Sequence, residues 1–170
     1  STLAVPPEQR REFYAHALAS TLIPMGISCS DDAPLNAGAE QVEVGPLEVR
    51  RMTGTAHHVH RGASEISRSD DEGIYLLVNV AARWQVVQRG LIQLGRGDVV
   101  VVDSRWGFDL DLPNSYEIAN IRLPVEWLRR WMPSSDPLVG RVITGDAGWG
   151  RALSQFLSQL SPQAAASTPL

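Results

Sequence analysis

The sequence predicts one mainly β domain, a sandwich or barrel with flanking helices, and three observations carry that prediction. From about residue 40 to about residue 122, apolar residues recur with a period of two, as strands buried on one face require. Glycine-bearing turns interrupt this stretch at short, regular spacing: Gly45-Pro46, Arg89-Gly90 and Gly95-Arg96-Gly97. Helical periodicity is confined to the two ends. The 170 residues suit a single domain and can bury a real core. Closing many short strands on themselves also removes exposed sheet edges.

The chain opens with a helix. Pro6-Pro7 start it, Glu8 and Glu12 sit favourably in its first turns, and Phe13, Ala17 and Leu18 form an apolar stripe to about Leu22. Pro24 and Gly26 end it, and the polar residues 30–39 read as a loop. In the next stretch Val42 and Val44 alternate with Gln41 and Glu43, and Gly45-Pro46 turns the chain into a second strand. Further strands are expected at about 55–60, 64–68, 73–80, 83–88, 91–94, 98–103, 106–112 and 115–122, with hairpin turns at Arg89-Gly90 and Gly95-Arg96-Gly97. Two helices finish the domain. One spans about Val125–Met132 after Pro124; the other runs from about Trp149 to Leu160, with Leu153, Phe156, Leu157 and Leu160 at helical spacing. Residues 1–162 are thus the domain, and 163–170 read as the start of a linker.

Charge narrows the function. A net charge of −4 argues against nucleic-acid binding by this domain through bulk electrostatics. The fifteen basic residues are all arginine, and the pairs Arg10-Arg11, Arg50-Arg51 and Arg129-Arg130 are scattered. Cys29 is the only cysteine, which excludes an intrachain disulfide and fits a reducing cytoplasm. The N-terminal residues lack a signal-peptide pattern. No apolar run reaches the roughly 20 residues of a spanning helix, so no membrane partner is expected.

His57-His58-Val59-His60 followed by Glu65 is the strongest local cluster. Residues two apart on a strand share a face, so His58 and His60 could converge with Glu65 on a metal, as in a small metal-dependent cupin enzyme. The simpler reading is half-exposed strand histidines. A cupin metal site takes a fourth ligand, a histidine, from a later strand, where this chain has Phe108; no histidine follows His60. Cys29 has no activating neighbour, no Gly-x-Ser-x-Gly elbow occurs, and no helix follows Gly95-Arg96-Gly97 to receive a phosphate. The expectation is therefore no enzyme, no metal and no cofactor.

A pocket is the better-supported site. Small barrels can hold one small ligand. Tyr75, Trp84, Trp106 and Phe108 could wall such a cavity, and Arg50, His57, Asn79, Asn120 and Arg122 could supply its polar contacts. Plain core packing is the alternative for each aromatic. A register shift of one residue would reverse every face, so the inward set stays open at this level. The stripe Leu153, Phe156, Leu157 and Leu160 has two outlets, a second copy of the chain or the barrel itself.

The order of segments resembles one family. An opening helix, GPLEVRRM, AHHVHR, an acidic turn, GIYLLVNV, QRG, GRGDVVVVDS, the WLRRWM helix and a last amphipathic helix follow one another. Gly97-Asp98 with Asp103-Ser104, and Gly45-Pro46-Leu47, are the most specific pieces. This succession resembles the N-terminal cupin-like effector domain of AraC/XylS-type transcription regulators, over most of the chain. The resemblance implies a cupin-like barrel or jelly roll that binds a small-molecule effector and forms a homodimer in a bacterial regulator. DNA would be bound by a C-terminal domain with two helix-turn-helix units, which these residues do not contain. In that family His58, His60 and Glu65 have no required role. A stand-alone interaction module without a small ligand is the remaining alternative.

Overall fold

The computed structural model describes residues 1–29, 34–69, 72–162 and 164. Residues 163 and 165–170, where the linker was expected, lie outside that set, as do 30–33 and 70–71. Two antiparallel sheets face each other. The first has strand order β1 (Gly26–Ser28), β4 (His57–Arg61), β9 (Phe108–Leu112), β6 (Trp84–Val87) and β7 (Leu91–Leu94). The second runs β11 (Val142–Ile143), β8 (Val99–Asp103), β5 (Gly73–Ala81), β10 (Tyr116–Pro124), β3 (Leu47–Gly54) and β2 (Ala37–Val44).

Alternation assigns the faces. Val59, Phe108, Leu112, Trp84, Val86, Ile92 and Leu94 from the first sheet meet Tyr75, Leu77, Val100, Val102, Tyr116 and Ile118 from the second in one core. The intervening residues of the second sheet, Val49, Val78, Val99, Ala119 and Ile121, form a second apolar layer on its outer side. Helix α4 (Gly148–Gln159) covers that layer through Leu157, with Leu153 and Leu160 packed beside it. This explains why β5 and β8 read as unbroken apolar runs: both of their faces are covered. Burying one such leucine contributes about 1.5–3 kcal/mol. A third, smaller cluster joins Ile74 and Val101 to Val125 and Val139.

Helix α1 (Arg10–Thr21) forms where expected, preceded by a short 3-10 turn at Pro7–Gln9. Its inward stripe is Tyr14 and Leu18, at i and i+4, whereas Phe13 is 39% exposed. Strand β2 starts at Ala37, inside the expected loop. The expected strand at 64–68 is instead a single helical turn, α2 (Ala63–Ile66), because the Glu65 carboxylate turns back to accept the Gly62 N–H at 2.9 Å. The helix after Pro124 is also one turn, α3 (Val125–Leu128), continued by turns.

The Gly45-Pro46 turn does join a hairpin, with Gly45 at φ +59° between β2 and β3. Gly95-Arg96-Gly97 does not: β7 and β8 belong to different sheets, and the turn carries the chain across. The Asp98 carboxylate holds that crossing by accepting the Gly95 N–H at 2.8 Å and the Gly145 N–H at 3.1 Å. A Cβ at Gly145 would lie 2.1 Å from the Gly97 carbonyl oxygen, so only glycine fits there. Asp103 and Ser104 end β8 in the same way: Ser104 Oγ accepts the Gly73 N–H at 2.8 Å, and Asp103 pairs with Arg105 at 2.7 Å. The residues of the GRGDVVVVDS segment are thus the fasteners of the barrel.

Candidate functional site

Under α1 the two sheets leave a cavity of about 50 Å³. It is larger than the roughly 10–15 Å³ one water needs. Helix α1 and the segment after it supply Tyr14, Leu18, Leu22, Ile23 and Met25. The first sheet supplies His57, Val59, Phe108, Leu110 and Leu112; the second supplies Met52, Tyr75, Leu77, Val102, Tyr116, Ile118 and Asn120. No arginine, aspartate or glutamate lines it among the described residues.

Its few polar groups are neutral. His57 Nδ1 lies 2.9 Å from the Thr55 carbonyl oxygen, which can only accept, so Nδ1 carries the proton. Burial pushes the His57 pKa below its ordinary 6.5. The ring stands edge-on to Tyr14 and Tyr116, with centroids 5.8 and 5.3 Å away. The two phenol oxygens are 3.3 Å apart, and burial raises both of their pKa values. Asn120 is 3% exposed, and among the described residues its Nδ2 has Met52 Sδ, at 3.9 Å, as its hydrogen-bond partner. Its Oδ1 is buried without a hydrogen-bond partner among the described residues. An orphaned acceptor of this kind costs about 1–3 kcal/mol.

Of the nine side chains proposed from sequence, His57, Tyr75, Phe108 and Asn120 line this cavity. Arg50, 3% exposed, lies opposite Asn120 in the β3–β10 register, but its guanidinium turns to the end of α1. There it donates to the Thr21 carbonyl at 2.6 Å and to Gln41 Oε1 at 2.9 Å, and it pairs with Glu48. Arg122 shares Glu48, at 2.8 Å. Asn79 ties down the turn after β5, donating to the Ala82 carbonyl at 2.8 Å. Trp84 is buried in the core away from the cavity. Trp106 is 54% exposed and lines an open surface cleft with Arg105 and Met132, with the Arg89 guanidinium 5.7 Å above its ring.

Strand β4 turns His57, Val59 and Arg61 inward, and so His58 and His60 outward. Both outward imidazoles contact Asp109 Oδ1, at 3.2 and 2.8 Å. Glu65 is occupied by Ser64, Gly62 and Arg68, which hold its pKa down to about 2. The His58, His60 and Glu65 set therefore does not face the interior where a cupin would bind its metal. Among the described residues no group of three or more His, Cys, Asp or Glu side chains is arranged to hold a metal ion. On α4, Leu153, Leu157 and Leu160 lie on the chain's own sheet, whereas Phe156 is 62% and Trp149 92% exposed.

Sequence reasoning missed Tyr14 and Tyr116. Tyr14 sits four residues before Leu18, a spacing that marks one helix face. Tyr116 shares parity with Ile118 and Asn120 on β10, so placing either asparagine or tyrosine inward places both.

The AraC-binding-like domain family matches residues 14–170. Among solved structures, the AraC-like transcriptional activator CuxR superposes with a TM-score of 0.71 at 13% identity, over 95% of this chain and 62% of that one. The chain thus spans less than two thirds of the CuxR chain, and the likeness concerns the fold. An RmlC-like cupin from Desulfovibrio desulfuricans gives a TM-score of 0.42 at 15% identity, over 52% of this chain and 83% of that one. The EutQ protein of Clostridium difficile gives 0.43 at 8% identity, over 58% and 69%. No curated protein matches in sequence. No helix of the described residues is long and apolar enough to cross a membrane. With its family matched from the first turns of α1 to the last residue, the chain belongs to the AraC-binding-like domain family.

Proposed function

We propose that this domain is the ligand-sensing and dimerisation domain of a bacterial AraC/XylS-type transcription regulator acting in the cytoplasm. Residues 1–162 form the sensing unit, and 163–170 begin the connection to helix-turn-helix units that bind DNA. The observation that carries the reading is the uncharged cavity under α1 in a member of this family. One wall of that cavity is a helix fastened by few long-range polar contacts: Arg10 to Asn36 Oδ1, Tyr14 to Tyr116 and the Thr21 carbonyl to Arg50. An effector bound there acts by favouring one position of α1 over another, by as much as its affinities for the two states differ. Dimer contacts fall to the outer side of α4, where Phe156 and Trp149 remain exposed, since its leucines are already used on the sheet.

The test is a thermal-shift screen of small molecules on the 170-residue chain, repeated on Leu77→Phe, which fills the cavity. A genuine effector raises Tm in wild type, with about 2.7 kcal/mol of stabilisation at a hundredfold excess over Kd. That rise should vanish in Leu77→Phe. A compound that stabilises both proteins equally binds elsewhere and contradicts the reading.

A further inference from the structure

The chemistry of the cavity wall selects its occupant. Every polar group that reaches the space, His57, Tyr14, Tyr75, Tyr116 and Asn120, is of a kind that stays neutral here, and the remaining wall is apolar. A carboxylate or ammonium group placed there would lose its hydration with no opposite charge on the wall, a cost far above that of any neutral group. The Arg50 guanidinium, opposite Asn120 in the β3–β10 register, does not line the cavity and bonds Thr21, Gln41 and Glu48 through Nε and Nη2, and Arg61 bonds the Ser104 and Pro24 carbonyls. On the wall, Asn120 Oδ1 is buried without a hydrogen-bond partner among the described residues and requires a donor. A hydroxyl supplies that donor, and it would also serve if the amide were turned over, because a hydroxyl accepts as well.

Size adds a second condition. An apolar cavity of about 150 Å³ holds benzene, and this one is about 50 Å³. A ring therefore enters only if a wall gives way. The strands are fixed by their ladders, whereas α1 leans on the space through Tyr14, Leu18 and Leu22. We propose that the cavity takes an uncharged, largely apolar molecule of about one ring, whose single hydroxyl donates to Asn120 Oδ1, with α1 moving outward to admit it. This rests on the sensor reading and gives it a ligand class.

The experiment is calorimetric titration of the chain with three probes of one ring size: phenol, toluene and benzoate. The proposal expects phenol to bind at least about tenfold more tightly than toluene, with benzoate weakest. Asn120→Leu should remove or reverse the preference for phenol over toluene, and hydrogen exchange should show the amides of α1 losing protection when phenol binds. Tight toluene or benzoate binding that Leu77→Phe abolishes would overturn the ligand class while leaving the cavity as a sensor site. Phenol binding with unchanged α1 protection would overturn the moving wall. If none of the three binds, the ligand class fails, while the sensor reading stands or falls on the thermal-shift screen with Leu77→Phe.

Discussion

Two halves of the same interior are filled to different degrees. Toward β6, β7 and β8, Trp84, Val86, Ile92, Leu94 and Val100 are buried in the core, and none of them borders the cavity. Toward α1, Tyr14, Leu18, Leu77, Phe108, Ile118 and Asn120 surround open space. Both halves come from strands with the same alternation, so hydrophobic patterning does not separate them. The closing element does. Strands in a ladder stand about 4.7–4.9 Å apart and fix the side chains between them. A helix laid across a barrel mouth has no ladder: α1 is held by packed side chains and the hydrogen bonds of Arg10, Tyr14 and Thr21, and can leave a gap or change one. In this molecule the ladder-closed half is packed, and the helix-closed half holds the cavity to which the proposed function assigns a ligand.

The largest expected effect tests the filled half. Trp84→Ala should cost about 3–5 kcal/mol in urea unfolding, as loss of a buried aromatic side chain. Over-packing draws the contrast more sharply. Val86→Phe should cost about 1–3 kcal/mol, because no space receives the ring. Leu77→Phe should cost less than about 1 kcal/mol, because the cavity does. Equal losses in the two variants would erase the distinction between the halves. Asn120→Leu should leave stability unchanged or raise it by about 1 kcal/mol, since it removes a buried acceptor with no donor.

A smaller effect concerns pH. The folded pKa of His57 lies below the ordinary 6.5, so the unfolded chain takes up a proton first as the pH falls. His57 is therefore neutral in its favour above 6.5, and wild type should lose stability as the pH drops below that value, levelling off beneath the residue's own depressed pKa. His57→Gln should lack that part of the slope, as urea unfolding at about pH 7.5 and about pH 5.5 will register. Smallest of all, Phe156→Ala should change unfolding by less than about 0.5 kcal/mol, yet weaken self-association in light scattering if α4 joins two copies.

Much of this was legible in the sequence. Period-two patterning placed β3 to β10 within a few residues, and the Gly-Asp and Asp-Ser pairs marked the ends of β8. What patterning lacked was phase. Trp106 and Phe108 both read as candidate wall residues, yet Phe108 is 5% exposed and Trp106 54%, because β9 begins only at Phe108. Arg50 and Arg122 do face inward, as their neighbours imply, but the Glu48 between them draws both guanidinium groups to one side. The 64–68 segment alternates like a strand, and one carboxylate reaching Gly62 made it a helical turn. Side chains that bond across many residues decide such cases, and a local pattern does not contain them.

The central claim is that the open space lies under α1 and admits a ligand. Methyl NMR of the chain under xenon tests it most directly, because xenon enters apolar cavities without needing a polar partner. The account predicts shifts confined to methyl groups that line the cavity, among them those of Leu18, Leu77 and Ile118, saturable and lost in Leu77→Phe. Shifts centred instead on Ile92 and Leu94, or none at all, would contradict it.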